Sequence, residues 1–208
     1  MGARGRHLGW LGIVLAGLAA PCVAASAAAG EKAGDRAFTG AYAGPELGVH
    51  EHHFYLTETD KRTGTSQGRY YRAWGVGGGA FAGYDAALTR RIRLGAEIGV
   101  SVGGNNPVAR FSDGTFYTQH PRYGFEATGK LGYLLADRVM AYGTFGYGGH
   151  RYRLGGTAAV ADVDEWGSSF TIGAGVEYRA SSNIGVRLDF RHLDNQRSHW
   201  LLGIPIRF

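Results

Sequence analysis

Between Ile92 and Gly103 the side chains alternate without a break. Leu94, Ala96, Ile98, Val100 and Val102 fall on one side, and Gly95, Glu97, Gly99, Ser101 and Gly103 on the other. A period of two residues belongs to an extended strand with one apolar and one polar face. Seven further stretches repeat the pattern, at about 40–53, 71–86, 122–134, 139–152, 166–179, 183–192 and the closing "LLGIPIRF". In that last stretch Trp200, Leu202, Ile204, Ile206 and Phe208 share a face, with Leu201, Gly203, Pro205 and Arg207 opposite. The connections alternate between short ("AALTRR", "LLADR", "RASS") and long, polar ones around 54–70, 104–121, 149–165 and 193–199. Long and short links in alternation predict antiparallel strands with all long loops at one end.

The polar faces decide what such a sheet can be. Glu46, Asp85, Glu97, Glu126, Lys130, Glu177, Arg179, Arg187, Asp189 and Arg191 all lie opposite the apolar residues. In a soluble barrel these charges would face water and the apolar side would fill the core. Yet the charged faces also carry Gly75, Gly77, Gly79 and Gly83. Glycines on a solvated strand surface weaken it and pack against nothing; in a narrow interior they leave room for long arginines and glutamates. The pattern therefore predicts charges inside, paired because they are buried, and apolar side chains outside in lipid. Trp74, Tyr84, Tyr133, Tyr178 and Trp200, near strand ends, suit the aromatic girdles of a membrane barrel. Mean hydropathy is slightly negative at −0.18, as alternation requires, and beyond the first residues no apolar run is long enough for a membrane helix. Pro45 and Pro205 fall in the first and last strands, which must pair to close the ring, and each removes one ladder donor.

Residues 1–29 read as a secretory signal peptide: Arg4 and Arg6, an apolar run from Leu8 to about Ala20, and an A-x-A site at Ala27 and Ala29. Cys22, the one cysteine, lies within it, after Ala-Ala-Pro where a lipoprotein signal would carry a leucine. The expected mature protein thus has no thiol, and consists of a short periplasmic arm (30–37) and a barrel domain (38–208). The 22 basic and 17 acidic side chains are interspersed, with no basic block that would mark nucleic-acid binding.

"GAYAGPELGV", "LGYLLADRVMAYGTFGYG" and "FTIGAGVEYRASSNIGVRLDFRHLD" resemble segments of the small outer-membrane β-barrel superfamily, which includes the OmpA transmembrane domain, opacity-type proteins and outer-membrane immunogenic proteins. The resemblance covers about residues 38–208. It implies an all-β, eight-stranded antiparallel transmembrane barrel in the outer membrane of a Gram-negative bacterium, surrounded by lipid and lipopolysaccharide. It also implies recognition of the C-terminal strand, ending at Phe208, by the barrel-assembly machinery.

Three functional readings compete. A structural or surface-interaction barrel with a filled lumen and ligand-presenting loops fits best. A lipid A-modifying enzyme is the alternative in another class: lipid A deacylases of the outer membrane carry a His-x-Ser pair at the outer rim, whereas here His192 is followed two places on by Asp194, with Ser198 and His199 nearby. A small pore, or an exported soluble barrel that binds a ligand, completes the set. "HEHH" (His50, Glu51, His52, His53) is not H-E-x-x-H, and on a strand His50 and His52 point inward while His53 points out. With His120, His150, His192 and His199 these histidines gather at the long-loop end, as ordinary polar residues, a pH-responsive cluster or a metal site. No catalytic, cofactor-binding or metal-binding residue is assigned.

Overall fold

A computed structural model of the chain describes residues 37–59, 63–157, 163–193 and 197–208. The expected signal peptide and residues 30–36 of the arm lie outside them. The described strands are β1 (Gly40–Thr59), β2 (Ser66–Ala87), β3 (Ile92–Gly103), β4 (Val108–Arg110), β5 (Phe116–Ala136), β6 (Val139–Gly155), β7 (Val163–Arg179), β8 (Gly185–Leu193), β9 (Arg197–Gly203) and β10 (Ile206–Arg207). Each pairs antiparallel with the next around the ring β1-β2-β3-β5-β6-β7-β8-β9, and β9 and β10 both pair with β1. The sheet is therefore closed and exposes no long edge, the condition for strands to cross lipid. The eight expected strands meet ten segments, because β4 adds a short flap on β5 and the closing strand is divided in two at Ile204–Pro205.

That division answers the question raised by the two prolines. On the seam, Glu46 faces Gly203 and Ala43 faces Ile206, one continuous register with no residue inserted, so there is no bulge. On the seam the missing donor is that of Pro45, which cannot return the bond it accepts, whereas Pro205 turns to β8, where its carbonyl accepts from Gly185 at 2.9 Å. Ile204 still donates to the Pro45 carbonyl at 3.0 Å, and Phe208 donates to Ala41 at 3.0 Å. Gly44 lets the two chains approach here: a Cβ on it would lie 2.0 Å from the Ile204 oxygen.

Alternation places the side chains as the polar faces demand. Leu47, Val76, Leu94, Ile98, Val100, Phe145, Phe170, Ile172, Leu188 and Leu202 are exposed on the outside. Glu46, Asp85, Glu97, Glu126, Lys130, Glu177, Arg187, Asp189 and Arg191 are buried within. Such an inverted molecule is insoluble in water, and the soluble-barrel reading falls with it. Trp74, Tyr84, Tyr133, Tyr178 and Trp200 are all exposed, toward either end of the apolar belt.

The stretches expected as long loops are largely strand. β1 and β2 run together up to the pair Thr59 and Ser66, and β5 and β6 up to Thr118 and Gly155. These extensions lack the apolar alternation of the membrane segments, since Thr57, Glu58, Thr59, Gln67 and Arg69 interrupt it. Cross-strand aromatic pairs hold them instead: Phe54 stacks on Tyr71 at 5.6 Å, and Tyr55 packs on Tyr70 at 4.9 Å. Tyr117, edge-on to Phe54 at 5.1 Å, has its phenol pushed above the usual range by burial and by Glu165.

Candidate functional site: a lumen crossed by ion pairs and closed by histidines

At the end with the short turns, Ala37 and Phe38 fold into the mouth of the barrel and are fully buried against Leu134, Met140 and Tyr142. Phe38 takes φ 59° to do so, a left-handed conformation costly for an L-residue. Arg179 and Arg207 each lie 5.6 Å over its ring. Arg93 donates to the Ala37 carbonyl at 2.7 Å. Of the ten charges expected inside, Arg179 alone sits at this half-exposed mouth and not in the buried lumen.

Above the plug, the bonds cross the lumen from wall to wall. Lys130 on β5 donates to Asp85 on β2 (2.8 Å) and to the Tyr42 hydroxyl on β1 (2.7 Å). Arg207 reaches Asp85 at 3.1 Å and Glu177 at 2.8 Å. Half-way up, Arg187 on β8 binds Glu46 on β1 at 3.0 Å and Glu97 on β3 at 2.5 Å, with its guanidinium 3.5 Å over the Phe81 ring. Arg191 adds contacts to Glu46 (3.1 Å), Glu97 (3.2 Å) and Glu126 (3.4 Å). Tyr142 donates to Asp189. Each buried charge named here has an opposite charge or a hydroxyl against it, as desolvation requires. Glycines make the room: a Cβ on Gly83 would strike the Tyr42 hydroxyl, and one on Gly203 the Arg187 side chain.

The outer third is built from imidazoles. His50 and His52 on β1, His150 on β6 and His199 on β9 are all buried. His50 stacks on His199 at 4.1 Å, and His52 lies 5.1 Å from His150. His52 meets the Tyr152 hydroxyl and the Gly103 carbonyl, each at 3.2 Å. Arg197 on β9 contacts His150 and, at 3.3 Å, Glu126. Among the described residues no group of three such side chains is arranged to hold a metal ion, since the rings stack instead of converging on a point. His50 and His52 do face inward and His53 outward, as alternation predicts. Periodicity alone puts Arg197 and His199 in a loop; strand β9 places both inside.

Ser198 and His199 are neighbours on a strand, so they point to opposite faces and cannot serve each other as nucleophile and base. Ser198 instead meets His192 across β8 and β9, with Oγ 3.0 Å from Nδ1. Glu51, opposite Ser198 in register, is engaged by Arg72 at 3.7 Å. Asp194 lies outside the described residues.

Comparison with known proteins agrees with this architecture. Residues 15–200 match the family described as outer membrane protein beta-barrel domain. The chain is similar to the 31 kDa outer-membrane immunogenic proteins of Brucella melitensis and Brucella suis, each 31% identical over 163 residues. Those matches cover 74% of this chain and 66% of the relative, so the chain spans just under two thirds of the relatives' length. Among solved structures, Neisserial surface protein A is similar with a TM-score of 0.47 at 14% identity, over 82% of this chain and 98% of that one. Ail of Yersinia pestis gives 0.44 at 13% identity, over 81% and 99%. The chain belongs to the outer membrane protein β-barrel domain family, and its place is the outer membrane of a Gram-negative bacterium.

Proposed function

We propose that the protein is a structural, surface-presenting barrel and not an enzyme, with a lumen filled by its own side chains. The observation that carries this reading is the set of bonds from Arg187 to Glu46 and Glu97, which join three strands through the middle of the barrel. A ring this narrow encloses little beyond side chains, and here those side chains grip one another. Its working surface is then the outer end. Between the outer ends of β1 and β2 and the turn after β4 lies a groove of about 750 Å³, lined by Glu58, Thr59, Thr65, Gln67, Phe111 and Asp113. Hydroxyls, two carboxylates and one ring suit a polyhydroxylated surface ligand such as a glycan. The apolar belt takes lipid, and the outer rim, with Arg72 and Arg151 exposed outside, takes lipopolysaccharide. Phe208, exposed at the base of the seam, is the residue offered to the assembly machinery.

Planar-bilayer recording of the refolded protein tests the filled lumen. Steady ion conductance would overturn it; silence together with protease cleavage of the hairpins on intact cells is the expected result.

A further inference from the structure

The four lumenal histidines serve neither the fold of the membrane belt nor the surface groove, and their packing is unusual in what it leaves undone. His50 Nδ1 and Nε2, His150 Nε2 and His199 Nε2 are buried without a hydrogen-bond partner. A buried polar atom in that state is costly, yet the chain is shaped to keep these rings in place. A Cβ at Gly77 would lie 2.6 Å from His50, at Gly104 2.4 Å from His52 and at Gly124 2.4 Å from His150. Three glycines thus form the seats of three rings.

The surroundings suit neutral rings only. From β9 the cluster faces Arg197, and from β8 Arg191, both cations. β5 contributes Glu126, whose carboxylate is already shared between those two arginines. β6 adds the Tyr152 hydroxyl, β2 presents Gly77 and the turn after β3 presents the Gly103 carbonyl and Gly104. Below, Glu46 on β1 is taken by Arg187 and Arg191. No carboxylate remains to receive an imidazolium, and the stacked His50 and His199 would bring two positive charges within 4.1 Å. Histidine is the side chain whose ordinary pKa, about 6.5, brings that charge within mildly acidic conditions.

We propose that this packing is an acid-operated latch. With neutral rings, the outer third of the lumen is closed; protonation drives the rings from one another and from Arg197, and admits water from the outer end. The ion pairs around Arg187 hold no histidine, so the barrel below stays closed. Closure is complete at neutral pH and is lost as pH falls.

Hydrogen exchange of the protein refolded in lipid nanodiscs, corrected for the intrinsic rate at each pH, reads the latch between about pH 7.5 and 4.5. Amides of 48–52 and 197–201 are expected to lose about tenfold or more of their protection at acid pH, while those of 92–97 keep theirs. In H50Q/H199Q, or in H199Q alone should the double variant not fold, the acid loss should shrink or vanish. Ring NMR signals of His50, His52, His150 and His199 should shift together over one interval in the unaltered protein. Equal protection at both pH values, a loss spread evenly over both halves, an undiminished loss in both variants, or four rings titrating separately would each overturn the proposal.

Discussion

Arg187 donates to Glu97 through both Nη1 and Nη2, at 2.5 and 3.0 Å, from the far side of the barrel. Both groups are buried. The pair is therefore a strut across the lumen, and its removal has a cost that an exposed pair would not. Arg187→Met should lower the free energy of unfolding by about 3–5 kcal/mol, because Glu46 and Glu97 are left with too little opposite charge. Arg179→Met, at the half-exposed mouth over Phe38, should cost under about 1 kcal/mol. Urea unfolding in lipid vesicles, with both variants side by side, measures the difference.

Glu126 ties two arginines at once, Arg191 and Arg197, whereas Asp113 caps a turn, accepting from the Thr115 amide and hydroxyl. Glu126→Ala should depress the thermal midpoint well below that of Asp113→Ala. The band shift between folded and heat-unfolded barrel on gels gives both midpoints, and equal values would show that the lumen is wet enough to solvate a lone arginine.

Two glycines of similar sequence setting should respond oppositely to a methyl group. At Gly79 a Cβ would stand 2.0 Å from the Val100 carbonyl oxygen, while at Gly99 its nearest neighbour is 3.7 Å away. Gly79→Ala must push β2 and β3 apart and should cost about 1–3 kcal/mol as overpacking does. Gly99→Ala should be neutral or slightly stabilising, since it only restricts the unfolded chain.

Phe208 is 83% exposed on the outer face, so the finished barrel has little to lose with it. Its apolar side chain is worth about 1.5–3 kcal/mol at most if lipid buries it fully. Deleting it should leave the unfolding free energy of refolded protein within that range and sharply reduce the folded fraction in cells. Unchanged assembly in cells would remove any role for this residue in recognition.

The two faces of each strand were legible in the sequence because a period of two fixes them wherever one side is lipid and the other a packed lumen. Glu97, Glu126 and Lys130 come inward for that reason, and the histidines at 50 and 52 with them. Partner choice was not legible. Lys130 binds Asp85 and Tyr42, not Glu126 four residues back on the same face, because the stagger between strands sets which side chains share a level. The histidine cluster needed ring closure as well: His50 and His199 stand opposite in register only because β9 returns to β1. Above the membrane no apolar face alternates with a polar one, so periodicity carries no signal there, and the pattern ends at about His53 in β1.

A ring of strands has no loose end from which to peel, so unfolding has to begin by parting one ladder. The lapse over Ile204–Pro205, held by the single bond from Ile204 to Pro45 between the β9 and β10 pairings, marks where. The ladders from β1–β2 round to β6–β7 have no such gap, though β5–β6 carries two one-residue shifts, and β8 meets the same lapse, pairing up to Arg187 and Gly203 and again only at Ile184 and Ile206. The same line is the last to be sewn when the sheet curls shut, which makes the join between the first and last strands both the finish of assembly and the start of failure under load.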